Sequence, residues 1–309
     1  MEPKKRLVTR SDFDGLVCAM MLRELGLIEE IKFVHPKDVQ DGKIELTKND
    51  ITTNLPYDPR VGLAFDHHES EVDRLKAIET GGKLIIDPDK RSAARVVYEY
   101  YGGRETFKQI SEELMEAVDK GDSADFTMDE ILNPSGWVLL HYLMDPRTGL
   151  GRFHTFRISN YELMMELIGY CMDHSIDEIL ALPDVKERVD LYFEEAEQFK
   201  AQLLRIAKVY DKVVVLDLRE EEVIHAGNRF MIYALYPETQ ISIHVAWGFK
   251  KQNTAVMIGK SIVNKASKAD IGELCLAYGG GGHMNAGTCQ LENDVVDEKL
   301  PEIIAALNR

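Results

Sequence analysis

The chain has 309 residues, 45% hydrophobic and 29% charged, with 37 basic against 53 acidic side chains and a net charge of −16. That apolar content excludes a disordered chain, and the length suggests roughly two domains of about 150 residues, each able to bury its own core. The acidic balance disfavours binding to long duplex nucleic acid, whose phosphates it repels.

Taken in chain order, Leu7 to Thr9 is a short apolar run, and Leu16 to Leu25 has helical spacing with Asp12 and Asp14 just before it. Ile31–Val34, Val61–Phe65 and Leu84–Ile86 read as strands, and Ser92–Tyr101 as a helix capped by Ser92 and ended by Gly102-Gly103. This alternation predicts an α/β N-terminal domain built on a parallel sheet. Ligands of such sheets sit at the carboxyl ends of the strands. From Tyr161 to Tyr210 the pattern is mostly helical, with a start at Pro183-Asp184 and a long charged amphipathic stretch over Val185–Tyr210. Strands are expected at 212–218, 230–235, 240–245 and 254–258, and helices at 270–277 and 297–307. They predict a smaller C-terminal mixed-sheet α/β domain. The expected division is a catalytic domain over 1–190, a helical linker over 191–211 and a substrate-binding domain over 212–309, with the break near residue 205. The long helix suits interdomain packing and a homodimer contact equally.

Cys18, Cys171, Cys275 and Cys289 form no C-x-x-C pair and read as reduced, buried residues of a cytoplasmic protein. No run of about 18 apolar residues marks a membrane span. Four motifs carry chemistry. Ser11-Asp12-Phe13-Asp14-Gly15 falls where a strand meets a helix. Its carboxylates suit a hard divalent cation, and helix capping is the bland alternative. Phe65-Asp66-His67-His68-Glu69 concentrates metal-binding and proton-transfer groups at a strand end. Asp119-Lys120-Gly121-Asp122 adds acids that a solvated turn also explains. Gly279 to Gly282, followed by His283 and Asn285, reads as a phosphate cradle, because glycines let backbone N–H groups approach an anion.

These motifs, in this order, resemble the DHH phosphoesterase superfamily, and within it the branch of nanoRNases, pAp phosphatases and exopolyphosphatase-like proteins. Asp66-His67-His68 is similar to the signature that names the family. Gly280-Gly281-Gly282-His283 is similar to the motif of its associated C-terminal domain, about 215 residues further on. The resemblance implies hydrolysis assisted by one or two Mn²⁺ or Mg²⁺ ions, which lower the pKa of water and neutralise phosphoryl charge. It implies Asp12, Asp14, Asp66, His67 and Asp122 as metal ligands, with Asp119 as the alternate to Asp122. Asp66, His67 and His68 would be catalytic, and Arg10, Lys260, Gly280, Gly281, Gly282, His283 and Asn285 would meet the substrate.

Two positions depart from the family pattern. Arg10 stands where a histidine ligand is expected, and Asn54 where a bridging aspartate is expected. Three readings follow. The chain binds one ion and hydrolyses with altered chemistry; or His35 enters the site as a replacement ligand; or the fold is a nucleotide-binding regulator with an incomplete metal centre. Arg10 suits a phosphate clamp or an ion pair with Asp12 or Asp14. The substrate expected is a small phosphorylated molecule: pAp, a short oligonucleotide, a dinucleotide or polyphosphate. His141, His154, His174, His225 and His244 read as packing or surface residues, and Arg147 and Arg152 as anion binders or helix caps.

Overall fold

The computed structural model describes residues 4–68, 83–153 and 155–309. Glu69 and His154 lie outside the described residues. The chain forms two compact units: residues 1–125 with 134–190, and residues 126–133 with 191–309.

The first unit carries β1 (Lys5–Arg10), α1 (Phe13–Glu24), β2 (Ile28–Val34), α2 (Pro36–Gln40), β3 (Asp50–Thr53), β4 (Leu63–Asp66), β5 (Lys83–Ile86), α3 (Ala93–Tyr100) and α4 (Glu112–Ser123). The strands form one sheet in the order β2-β1-β3-β4-β5, every neighbouring pair parallel. The strand order reverses between β1 and β3, which is where open parallel sheets hold their ligands. α1 is buried from Phe13 through Leu22, so it is a core helix with no solvent face. Ser92 caps α3 as expected, its Oγ accepting the Arg95 N–H.

β3 escapes sequence reading because it is Asp-Ile-Thr-Thr, a segment without apolar alternation, and yet every residue of it is buried. The side chains of Asp50 and Thr53 are satisfied internally. Asp50 accepts from Arg6 at 2.8 Å and 2.9 Å, and the Thr53 hydroxyl donates to that of Thr9 at 2.7 Å.

Helices complete the first unit: α6 (Gly136–Met144), α7 (Asn160–Asp173), α8 (Ile176–Ala181) and the start of α9 (Pro183–Ile206); α5 (Met128–Leu132) belongs with the second unit. Among the described residues, no helix is long and apolar enough to cross a membrane.

The second unit contains β6 (Ala207–Tyr210), β7 (Val213–Asp217), α10 (Met231–Leu235), β8 (Ile241–Trp247), β9 (Thr254–Lys260), α11 (Ile271–Ala277), β10 (Gly281–His283), β11 (Ala286–Leu291) and α12 (Val296–Leu307). Its sheet runs β10-β11-β9-β8-β7-β6 and is mixed, with β7 and β8 parallel and the other neighbours antiparallel. Ile241, Ile243 and Val245 of β8 share a core with Val256, Ile271, Cys275 and Ile303.

Two local expectations are corrected. The long helix stops at Ile206, and residues 207–210 form a strand antiparallel to β7. The reversal is made by Asp211, whose φ of 54° is the left-handed turn geometry that aspartate tolerates. Residues 231–235 are helical instead of extended, because the Asn228 side chain and backbone accept the N–H groups of Phe230 and Met231, both at 2.9 Å, and start a helical turn. Periodicity alone does not separate the two states in so short an apolar run.

Candidate active site

The turn from β1 into α1 is tight. A Cβ on Gly15 would lie 2.1 Å from the Arg10 carbonyl oxygen, so glycine is required by close backbone approach. Asp12 is the N-cap of α1, accepting the Gly15 N–H at 3.0 Å through Oδ1. Its Oδ2 lies 2.8 Å from Arg10 Nε. Arg10 forms the ion pair with Asp12, and Asp12 has both oxygens engaged. Asp14, one residue into the helix, is 3% exposed. It accepts the Ala94 and Ala93 N–H groups at 2.7 Å and 3.2 Å, at the start of α3.

Asp66 closes β4. Its Oδ1 accepts the His67 N–H at 2.9 Å and lies 2.7 Å from His68 Nδ1, while its Oδ2 is buried without a hydrogen-bond partner among the described residues. His67 Nε2 lies 2.6 Å from Asp122 Oδ2, close but off the line of a hydrogen bond. Two donor groups result, each with its ligand atoms within 4.8 Å of one another: Asp14, His67 and Asp122, and Asp66, His67 and His68. They share His67. Carboxylate oxygens with imidazole suit Mn²⁺ or Mg²⁺ better than a soft metal, and the orphaned Asp66 oxygen is the kind of atom a cation satisfies.

The electrostatics point the same way. Burial, with the charges of Asp122 and Asp12, pushes the Asp14 carboxyl well above its usual range. Burial also raises Asp12, against the opposing pull of Arg10. For His67, burial works against the charged ring, but its close contact with Asp122, helped by the charges of Asp14 and Asp66, raises it to about 9. Burial would likewise raise Asp122, yet His67 holds it below the usual carboxylate range. A buried group of acids with this few cationic partners stabilises a positive charge placed among them.

Several candidates fall elsewhere. Asp119 is not in either donor group. Ser92 Oγ donates to it at 2.7 Å and Arg95 Nε at 2.9 Å, so it ties α3 to α4. His35 caps α2, its Nδ1 accepting the Lys37 N–H at 3.1 Å, and likewise joins neither group. Asn54 follows Thr53 at the end of β3 with φ of 53°. It is 2% exposed, and among the described residues neither its amide oxygen nor its amide nitrogen has a partner. Arg147 is the residue that sequence reasoning left too vague. Paired with Asp145 at 2.8 Å, it lies within electrostatic reach of Asp12 and Asp122, and only the fold places it there. His141 packs edge-on against Phe13 at 6.1 Å, while His225 pairs with Glu195 at 2.9 Å.

In the second unit, Lys260, His283 and Asn285 converge on the turn between β10 and β11. The Lys260 N–H donates to the Asn285 carbonyl at 2.9 Å, and His283 pairs with Ala286 across the hairpin. The glycine run is less of an open cradle than its sequence suggests. A Cβ on Gly280 would lie 2.1 Å from the Thr288 carbonyl oxygen, and one on Gly282 would lie 2.3 Å from that of Ala286. Gly281 alone of these three faces open space. Two of the three glycines therefore serve close packing within the hairpin. Gly280→Ala should displace β10 and cost about 1–3 kcal/mol, the usual penalty of overpacking; a thermal melt unchanged from wild type would remove this account.

No family model and no curated protein matches the chain. Among solved structures it is similar to PggH, a pGpG-specific phosphodiesterase from Vibrio cholerae, at 57% identity, with 99% of each chain covered and a TM-score of 0.84. It is also similar to RecJ in complex with Mn²⁺ from Thermus thermophilus, at 15% identity and a TM-score of 0.52, with 97% of this chain and 52% of that one covered. The second likeness shows the fold alone. The first extends over both units and through the Asp66-His67-His68 and Gly280–His283 segments. The chain therefore belongs to the DHH phosphoesterase superfamily, and it is a hydrolytic phosphoesterase.

Proposed function

We propose that this enzyme hydrolyses the phosphodiester bond of a short linear dinucleotide of the pGpG type, using a divalent cation held by Asp14, Asp66, His67 and Asp122. The observation that carries this reading is the meeting of two donor groups at His67, at the carboxyl end of the parallel sheet, in a chain 57% identical to a pGpG-specific phosphodiesterase. A bound cation supplies Lewis acidity, activating water and neutralising charge on the phosphoryl oxygens.

The chain's own residues do the rest. Asp66 fixes the orientation of the His68 ring through Nδ1, and His68 is the group that returns a proton to the leaving oxygen. Asp14 is locked by two backbone N–H groups, so its position costs no reorganisation. In the second unit, Lys260, His283 and Asn285, with the backbone of Gly280, Gly281 and Gly282, are the candidate phosphate contacts. The regulator reading loses ground, because the relative that matches over the whole chain is a phosphodiesterase.

The test is Mn²⁺-dependent turnover of pGpG beside pAp and polyphosphate. Preference for pGpG supports the reading, and preference for either other substrate overturns it. Stripping the cation should also be visible in a melt. Saturation at a hundred times Kd stabilises the fold by about 2.7 kcal/mol, which corresponds to about 5–10 °C for a unit of this size. An identical melting temperature with Mn²⁺ and with EDTA would count against a cation at these residues.

A further inference from the structure

We infer that Arg10 and Asn54 together form a binding site for phosphoryl oxygen, holding the substrate's anionic charge where a second cation would otherwise do so. The inference rests on the phosphodiesterase reading and deepens it.

Thr9 of β1 is in register with Thr53 of β3, and Thr53 with Phe65 of β4. Arg10, Asn54 and Asp66 each lie one residue further on, in one row along the sheet's carboxyl end. Asn54 is the anomaly in that row. Its amide is buried, its oxygen and nitrogen both lack a partner among the described residues, and its backbone is left-handed. An orphaned buried polar atom costs about 1–3 kcal/mol. The unpaired amide nitrogen, beside a site that handles phosphate, is explained by a ligand oxygen that accepts from it. The amide's N–H groups can donate to a phosphoryl oxygen. A neutral amide bridges two cations poorly, since it offers one uncharged oxygen where a carboxylate offers two charged ones.

Arg10 supplies the charge. Its Nε is taken by Asp12 at 2.8 Å, and its side chain is 32% exposed. Among the described residues, no second ion pair of its guanidinium is found within 4.0 Å, and Asp122 is the other acid within its electrostatic reach, so the edge of the guanidinium can meet an anion. A planar guanidinium is the donor best matched to phosphate. The pairing also withdraws Asp12 from metal binding, since its other oxygen caps α1. The donor groups that remain, around His67, do not include Asp12. The site then has one cation side and one guanidinium–amide side.

The test uses the full-length chain, with Mn²⁺ content measured by elemental analysis and binding of inorganic phosphate to the Mn²⁺-loaded protein measured by calorimetry. The wild type should carry one Mn²⁺ per chain. Asn54→Asp should raise this to two and weaken phosphate binding by about tenfold or more, the loss of a charge-assisted hydrogen bond with an added repulsion. Aspartate tolerates the left-handed backbone, so this variant should fold. Arg10→Gln, at a partly exposed position, should weaken phosphate binding similarly. Two ions in the wild type, or phosphate affinity unchanged in both variants, would overturn the inference. Neither readout requires turnover. A chain that shows this pattern without cleaving pGpG overturns the proposed substrate and leaves the Arg10–Asn54 site standing.

Discussion

Replacing His67 with alanine should reduce phosphodiester hydrolysis by at least about a hundredfold while the fold survives. His67 is the one residue common to both donor groups, so its loss opens both at once. Loss of an outer-sphere partner alone typically costs 10- to 100-fold, and a shared ligand should cost no less. The imidazole also offsets Asp122 and Asp14 electrostatically. The variant should therefore lose Mn²⁺ affinity in parallel with activity. The check is turnover together with Mn²⁺ titration followed by calorimetry. Circular dichroism should remain that of the wild type, because His67 lies past the end of β4 and contributes no residue to the sheet. Activity within tenfold of wild type would remove the proposed centre.

The largest expected effect on stability lies far from the chemistry. Arg188 is 1% exposed and, among the described residues, is the bulkiest fully buried side chain. Its Nη1 donates to the Asp184 carbonyl at 2.7 Å, its Nη2 to the Ile158 carbonyl at 2.8 Å, and its Nε to Asn160 Oδ1 at 3.1 Å. The guanidinium also lies 4.1 Å from the Phe156 ring centroid. It thereby fastens the start of α9 to the segment leading into α7. Arg188→Ala should leave the buried Asp184 carbonyl unpaired and open a cavity, at a cost of about 3–5 kcal/mol. For a unit of this size that is a fall of about 6–20 °C in Tm. Arg188→Lys should recover only part of it, since an ammonium cannot serve these acceptors with a planar fork. A loss below about 1 kcal/mol by chemical denaturation would show that the network contributes little.

Much of the active site could be read from local sequence, because its chemistry is local. Asp12 to Gly15 sits at a strand-to-helix turn, and Asp66 to His68 at a strand end, so residue type and position together suggested a metal. What could not be read depends on partners distant in sequence. Asp119 and Asp122 look alike in a run of acids, and only Arg95, 24 residues away, separates the structural carboxylate from the one beside His67. His35 looks available in the sequence, but its Nδ1 caps the helix that follows it. The polar strand Asp50–Thr53 carries no hydrophobic signature, because its burial is compensated by Arg6 and Thr9. The glycine run was legible as a motif. That Gly280 and Gly282 answer to neighbours within their own hairpin was not.

The path of the chain between its two units has a consequence for how it unfolds. Residues 126–133 leave the first unit, contribute α5 to the second, and return at residue 134 before the final crossing near residue 190. In the second unit the Ile131 carbonyl accepts from Asn228, and Phe126 packs on Phe230 at 5.6 Å. A severed fragment ending at residue 190 would carry this segment without the residues that cover it. The two halves are thus stitched by three passages of backbone instead of one hinge. Unfolding of the first unit releases both ends of the α5 segment, so the two should behave as one cooperative module: a single calorimetric transition, with amide exchange of α5 tracking the C-terminal sheet.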